Sequence, residues 1–143
     1  MQTLMNGTHR IGILVEDLLF RSKIETTARQ LKIETVLLNG NDNWGHVAIS
    51  AKLEHVPNYF SLVVLDLHLK GTEPVEWIRQ FKQNGQTQRI PILAFFSHVE
   101  VDLKKRAVEA GCNMVVPRSI FSEQLPQLLA RYVQLRLPMI PAP

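Results

Sequence analysis

The chain has 143 residues, 45% hydrophobic and 20% charged, with a net charge of +3 and a single cysteine. That is the balance of one ordinary globular domain, long enough to bury roughly two-thirds of the surface its unfolded chain exposes without a metal or disulfide staple. It excludes an internal disulfide, which points to the reducing cytoplasm; its apolar runs fall short of the ~20 residues of a membrane span, and so small and dispersed a charge does not argue for nucleic acid.

Residues 1–9 are polar and read as a flexible N-terminus without the apolar stretch of a secretory signal. Ile11 to Val15 is a buried first strand that ends in Glu16 and Asp17. From Leu18 to Lys32, Phe20, Ile24, Ala28 and Leu31 recur at helical spacing among charged residues, which predicts an amphipathic helix. Ile33 to Leu38 predicts a second strand, and 46–55 a weaker helix closed by Pro57. Leu62 to Leu65 offers no polar alternation and reads as a third strand buried on both faces, with Asp66 at its end. Thr72 is the expected N-cap of a third helix, with Pro74 in its first turn, Val75, Ile78 and Phe81 as its buried stripe, and Asn84-Gly85 as its end. Ile90 to Phe96 is a fourth strand. Ser97 to Glu100 fits a capping box for a fourth helix that stops at Gly111. Met114 to Pro117 is a fifth strand, followed by a last helix from about Ser122 bearing Leu125, Leu128, Leu129 and Tyr132. The tail 137–143 is Pro-rich and cannot continue a helix.

Strand and helix therefore alternate five times over residues 10–136. The pattern predicts a single-domain α/β protein, a parallel sheet covered on both faces with right-handed crossovers. In such a sheet the chemistry sits at the carboxyl ends of the strands. Glu16, Asp17, Asp66, Ser97 and Arg118 are all expected at that edge. Converging carboxylates repel unless a cation or a base offsets them. Hard oxygen ligands suit Mg²⁺, and Arg118 could supply the positive charge instead.

With these residues in place, the sequence resembles the receiver domain of two-component response regulators over about residues 10–135. The resemblance rests on Val15-Glu16-Asp17, Leu65-Asp66, Ile90-Pro91-Ile92-Leu93, and Ala110-Gly111 with a basic residue seven positions on. It implies a doubly wound, flavodoxin-like (βα)5 sheet of strand order 2-1-3-4-5. It implies that Asp66 is the phosphoacceptor, and that Glu16, Asp17, Asp66 and the backbone carbonyl of His68 hold Mg²⁺. A histidine kinase or phosphotransfer protein would be the donor. Output would pass to a downstream protein through the face made by the fourth helix, fifth strand and fifth helix, where Lys104-Lys105-Arg106 lies, with no nucleic acid or membrane involved directly. No output domain accompanies the five units, so the expectation is a stand-alone receiver acting through contacts. Six positions depart from the family pattern, among them Ser119 for a usual Pro and Pro74 for a usual Gly. Phe96 stands at the hydroxyl position, with Ser97 as a substitute one residue later; Arg118 replaces a Lys; Val115 replaces the switch aromatic; and Lys70 stands where a Pro is usual. The phosphate-binding half is altered and the acidic half kept, which leaves a phosphorylation-independent pseudo-receiver, a constitutive binding module, as the alternative.

Two further readings compete. Asp66-Leu67-His68-Leu69-Lys70-Gly71 matches the D-x-H-x-x-G signature of cobalamin-binding domains, but it follows the third strand rather than the first and no Gly-Gly accompanies it. Asp17, Asp66 and His68 could support metal-assisted hydrolysis, yet the chain carries no phosphate-binding glycine loop and no nucleophile elbow. The expectation is that the chain is not an enzyme acting on a free substrate.

Overall fold

A computed structural model describes residues 9–38, 60–97 and 101–135. The predicted helix over 46–55, residues 98–100 of the capping box, and the Pro-rich tail lie outside the described residues. The elements are β1 (Arg10–Leu14), α1 (Leu18–Gln30), β2 (Glu34–Leu37), β3 (Leu62–Asp66), α2 (Pro74–Gln83), β4 (Ile92–Phe96), α3 (Val101–Ala110), β5 (Met114–Pro117), α4 (Arg118–Glu123) and α5 (Leu125–Leu135). The five strands form one parallel sheet of order β2-β1-β3-β4-β5, as expected. Among the described residues no helix is long and apolar enough to cross a membrane.

β3 is the central strand and every residue of it is buried. Side chains alternate across a sheet, so its residues feed two separate cores. Val63 and Leu65 face Trp77, Ile78 and Phe81 of α2 and Ala107 of α3. Leu62 and Val64 face Ile24 and Ala28 of α1, Phe121 of α4, and Leu125 and Leu129 of α5. That is why β3 has no polar alternation: both of its faces lie under helices.

The element ends differ from expectation for local reasons. Glu73, not Thr72, caps α2, and its carboxylate accepts from the Val75 N–H at 3.2 Å. Pro74 forces the residue before it into extended backbone, the conformation an N-cap needs, so the cap moves one residue along. β4 starts at Ile92 because Pro91 has no N–H for the ladder; its carbonyl still accepts from Val63 N at 2.9 Å. α1 stops at Gln30, since Lys32 adopts φ 62° and turns the chain toward β2. The last predicted helix is two helices broken at Gln124. Pro126 lacks the N–H that a continuous helix would give to the Ser122 carbonyl.

Candidate functional site at the carboxyl edge of the sheet

Register sets the height of the site. Asp66 pairs with Phe95, and the Leu67 N–H donates to the Phe95 carbonyl at 2.9 Å. The Asp66 carboxylate therefore lies level with the end of β4, and it is only 7% exposed. One oxygen accepts from the His68 backbone N–H at 2.8 Å, a tight turn that ties the carboxylate to the loop after β3. Burial pushes the Asp66 carboxyl above its ordinary pKa; the His68 N–H and the charge of Arg118 pull it back, and Glu16 pushes it further up.

Glu16 and Asp17 follow β1 and part company. The Glu16 carboxylate accepts from the Lys70 backbone N–H at 3.1 Å, on the β3–α2 side. Asp17 is the N-cap of α1, and its Oδ1 accepts from the Phe20 N–H at 3.0 Å. Its Oδ2 accepts from Arg118 Nη2 at 3.2 Å. The capping bond to Phe20 is the main reason the Asp17 carboxyl is held below its ordinary pKa, with Arg118 adding to it against some desolvation.

Arg118 opens α4 behind Pro117, which offers no side-chain cap. A cation at a helix N-terminus meets the positive end of the helix dipole. Tertiary contacts hold it there. The guanidinium lies 4.4 Å from the centre of the Phe20 ring and 5.9 Å from that of Phe95. Phe20 meets Phe95 edge-on at 4.9 Å, and Phe95 stacks on Phe121 at 4.7 Å. Arg118 thus spans a carboxylate and an aromatic platform built from α1, β4 and α4, a geometry that suits a planar guanidinium better than an ammonium.

The structure brings Asp17 and Arg118 together and leaves the other candidates apart. Phe96 is buried in the α2/α3 core, in the same cluster as Val115, so the two altered positions share one face. Ser97 is exposed just beyond β4. Sequence reasoning missed the platform of Phe20, Phe95 and Phe121. Its signal was strand parity, since Phe95 is one residue from Phe96 and therefore faces the opposite core.

As arranged here, the donors fit a guanidinium rather than a divalent cation. Both Asp17 oxygens, one of Glu16 and one of Asp66 are engaged by protein donors. Among the described residues no three His, Cys, Asp or Glu side chains converge as a metal cage.

The fold is that of response regulator receiver domains. The chain superposes on the phosphorylated cyanobacterial phytochrome response regulator RcpA with a TM-score of 0.72 and 16% identity, over 94% of this chain and 99% of that one. For chemotaxis response regulator CheY4 of Vibrio cholerae the TM-score is 0.69 with 15% identity, over 87% and 98%. For the receiver domain of sensor histidine kinase PA1611 from Pseudomonas aeruginosa, described with magnesium coordinated in its active-site cleft, it is 0.68 with 16% identity, over 89% and 98%. No family model matches the sequence, and no curated protein sequence matches it.

Proposed function

We propose that the chain is a receiver-type module of signal transduction that acts by binding another protein, with Asp66 as its phosphoacceptor position. The observation that carries this is the placement of Asp66: a carboxylate tied by the His68 N–H at the carboxyl end of the central strand, on the same sheet edge that carries the Asp17–Arg118 pair. The donor would be a histidine kinase or phosphotransfer protein. Mg²⁺ enters this reading only with Arg118 released from Asp17, since the two compete for the same carboxylate. The output surface is the face of α3, β5 and α5. Its support is the outer stripe of α3, where Val101 and Val108 are 72% and 51% exposed and flank the exposed Lys104 and Lys105, while Ala107 faces the core. The chain turns over no free substrate; a flat phosphatase and esterase screen is the expected result.

A second reading is favoured by Phe96 and by the Asp17–Arg118 pair: a phosphorylation-independent module that binds its partner constitutively. One experiment separates the two. The protein is incubated with acetyl phosphate plus Mg²⁺, or with beryllofluoride plus Mg²⁺, and followed by intact mass and by chemical-shift mapping, with Asp66→Asn as control. A phosphoryl mass gain and shifts around Asp66, absent in the Asn variant, support the first reading. No mass gain and no shifts eliminate it and leave the constitutive module.

A further inference from the structure

We infer that Arg118 is a resident counter-cation that competes with divalent metal for Asp17, so that the acidic edge is balanced from within and gains metal affinity only when the guanidinium is removed. The inference concerns how the edge balances its charge, and it holds whether or not Asp66 accepts a phosphoryl group.

Three observations meet in this one side chain. First, Arg118 stands at the start of a helix, where local electrostatics disfavours a cation, so its position is set by what it contacts across the fold. Those contacts are the Asp17 carboxylate at 3.2 Å and the Phe20 ring at 4.4 Å. Second, the pair uses the one Asp17 oxygen that the N-cap leaves over. A hard cation coordinates through carboxylate oxygens and carries water with it. On that oxygen it would sit against a guanidinium already stacked on the Phe20 ring. Third, the guanidinium also lies 5.9 Å from the centre of the Phe95 ring, so two rings hold it against Asp17. The like charges of guanidinium and metal ion also repel.

The bond from Arg118 to Asp17 joins residues 101 positions apart and closes the sheet edge between α1 and α4. The same two helices are joined again by a bond from the Lys23 ammonium to the Ser122 hydroxyl. Release of Asp17 therefore leaves the α1–α4 contact in place. Losing the ion pair changes the charge of the edge rather than its architecture.

The test measures Mn²⁺ affinity by electron paramagnetic resonance on the full chain, comparing wild type with Arg118→Gln. The glutamine is neutral and still polar. The expected result is a gain of about ten-fold or more in affinity on loss of the charge. Asp17→Asn in the Arg118→Gln background should abolish the gain, which places the metal at this edge. Arg118→Lys keeps the charge but loses the planar stacking on Phe20, and an intermediate gain is expected. The lysine variant also keeps the test decisive should the glutamine variant fail to fold. Equal Mn²⁺ affinity in wild type and both variants would overturn the inference. So would a gain that survives Asp17→Asn, because the metal would then be held elsewhere. A phosphoryl assay plays no part in this readout, so failure of the phosphoacceptor reading and failure of this one are distinguishable.

Discussion

On the α1/α5 side of the sheet, charge gathers at the strand ends: the carboxylate of Asp66, and just past the strands Asp17 and Arg118, whose guanidinium lies over Phe20 and Phe95. On the α2/α3 side, Phe96 carries hydrocarbon to the strand end, with Val115 in the same cluster beside Ala94 below it, and the Glu16 carboxylate turns to the Lys70 N–H. The two sides share one sheet, and β4 supplies both through adjacent residues, Phe95 to one core and Phe96 to the other. The difference teaches that the Asp17–Arg118 pair and the packing of Phe96 are built on opposite faces here. A substitution on one face should leave the other largely intact.

Truncating the platform tests that separation hardest. Phe95 has no exposed surface and touches the rings of both Phe20 and Phe121. Phe95→Ala should cost about 3–5 kcal/mol by chemical denaturation, and the guanidinium should lose its hold on Asp17. On the opposite face, Phe96→Thr should cost about 2–4 kcal/mol through the cavity it leaves. Val115→Phe in that background should recover part of the loss, with a coupling of about 1 kcal/mol or more because both side chains belong to one cluster. Additive effects would show that the two positions do not share a space.

Smaller effects come from pH, and the two acids of the charged face act in opposite directions. The Asp66 carboxyl is raised in the folded state. Its favourable contribution is therefore present below the ordinary carboxylate value and lost as pH rises through the folded value. Asp66→Asn should stabilise the protein at neutral pH, and the gain should vanish on acidification. The Asp17 carboxyl is lowered. Its contribution is present above the ordinary value and lost as pH falls through the folded one. Asp17→Asn should lower the thermal midpoint at neutral pH, by less than Phe95→Ala does, and that difference should fade in acid. Parallel pH dependence of the two variants would contradict the assignment. The smallest expected effect is no effect at all: burial pushes the Cys112 thiol up to about 11, so iodoacetamide at pH 8 should label it only when the chain unfolds.

The parallel sheet was legible in the sequence because five apolar runs alternate with helical patterns, and burial on both faces leaves its signature in Leu62 to Leu65; its strand order came only from the resemblance to receiver domains. Asp66 was legible as an edge carboxylate for the same reason. The pairing within the site was not. Nothing in the spacing of Glu16 and Asp17 says that one turns to the Lys70 N–H and the other to Arg118. That choice follows from strand parity carried past the strand end, where the backbone no longer enforces it. The Thr72 cap was misplaced by one residue because Pro74 acts on its neighbour before any side chain does. The break at Gln124 turns on a single missing N–H.

Gly111 takes φ +116°, and a methyl group there would come within 2.8 Å of the Lys82 stem. The slot it leaves lets Lys82 lie across the α3–β5 turn and donate to the Ile90 carbonyl at 2.7 Å and the Gln88 carbonyl at 3.3 Å. One side chain thereby bolts together the end of α2, the loop before β4 and the turn before β5. These segments should open as one cooperative block in hydrogen exchange, independently of the acidic edge.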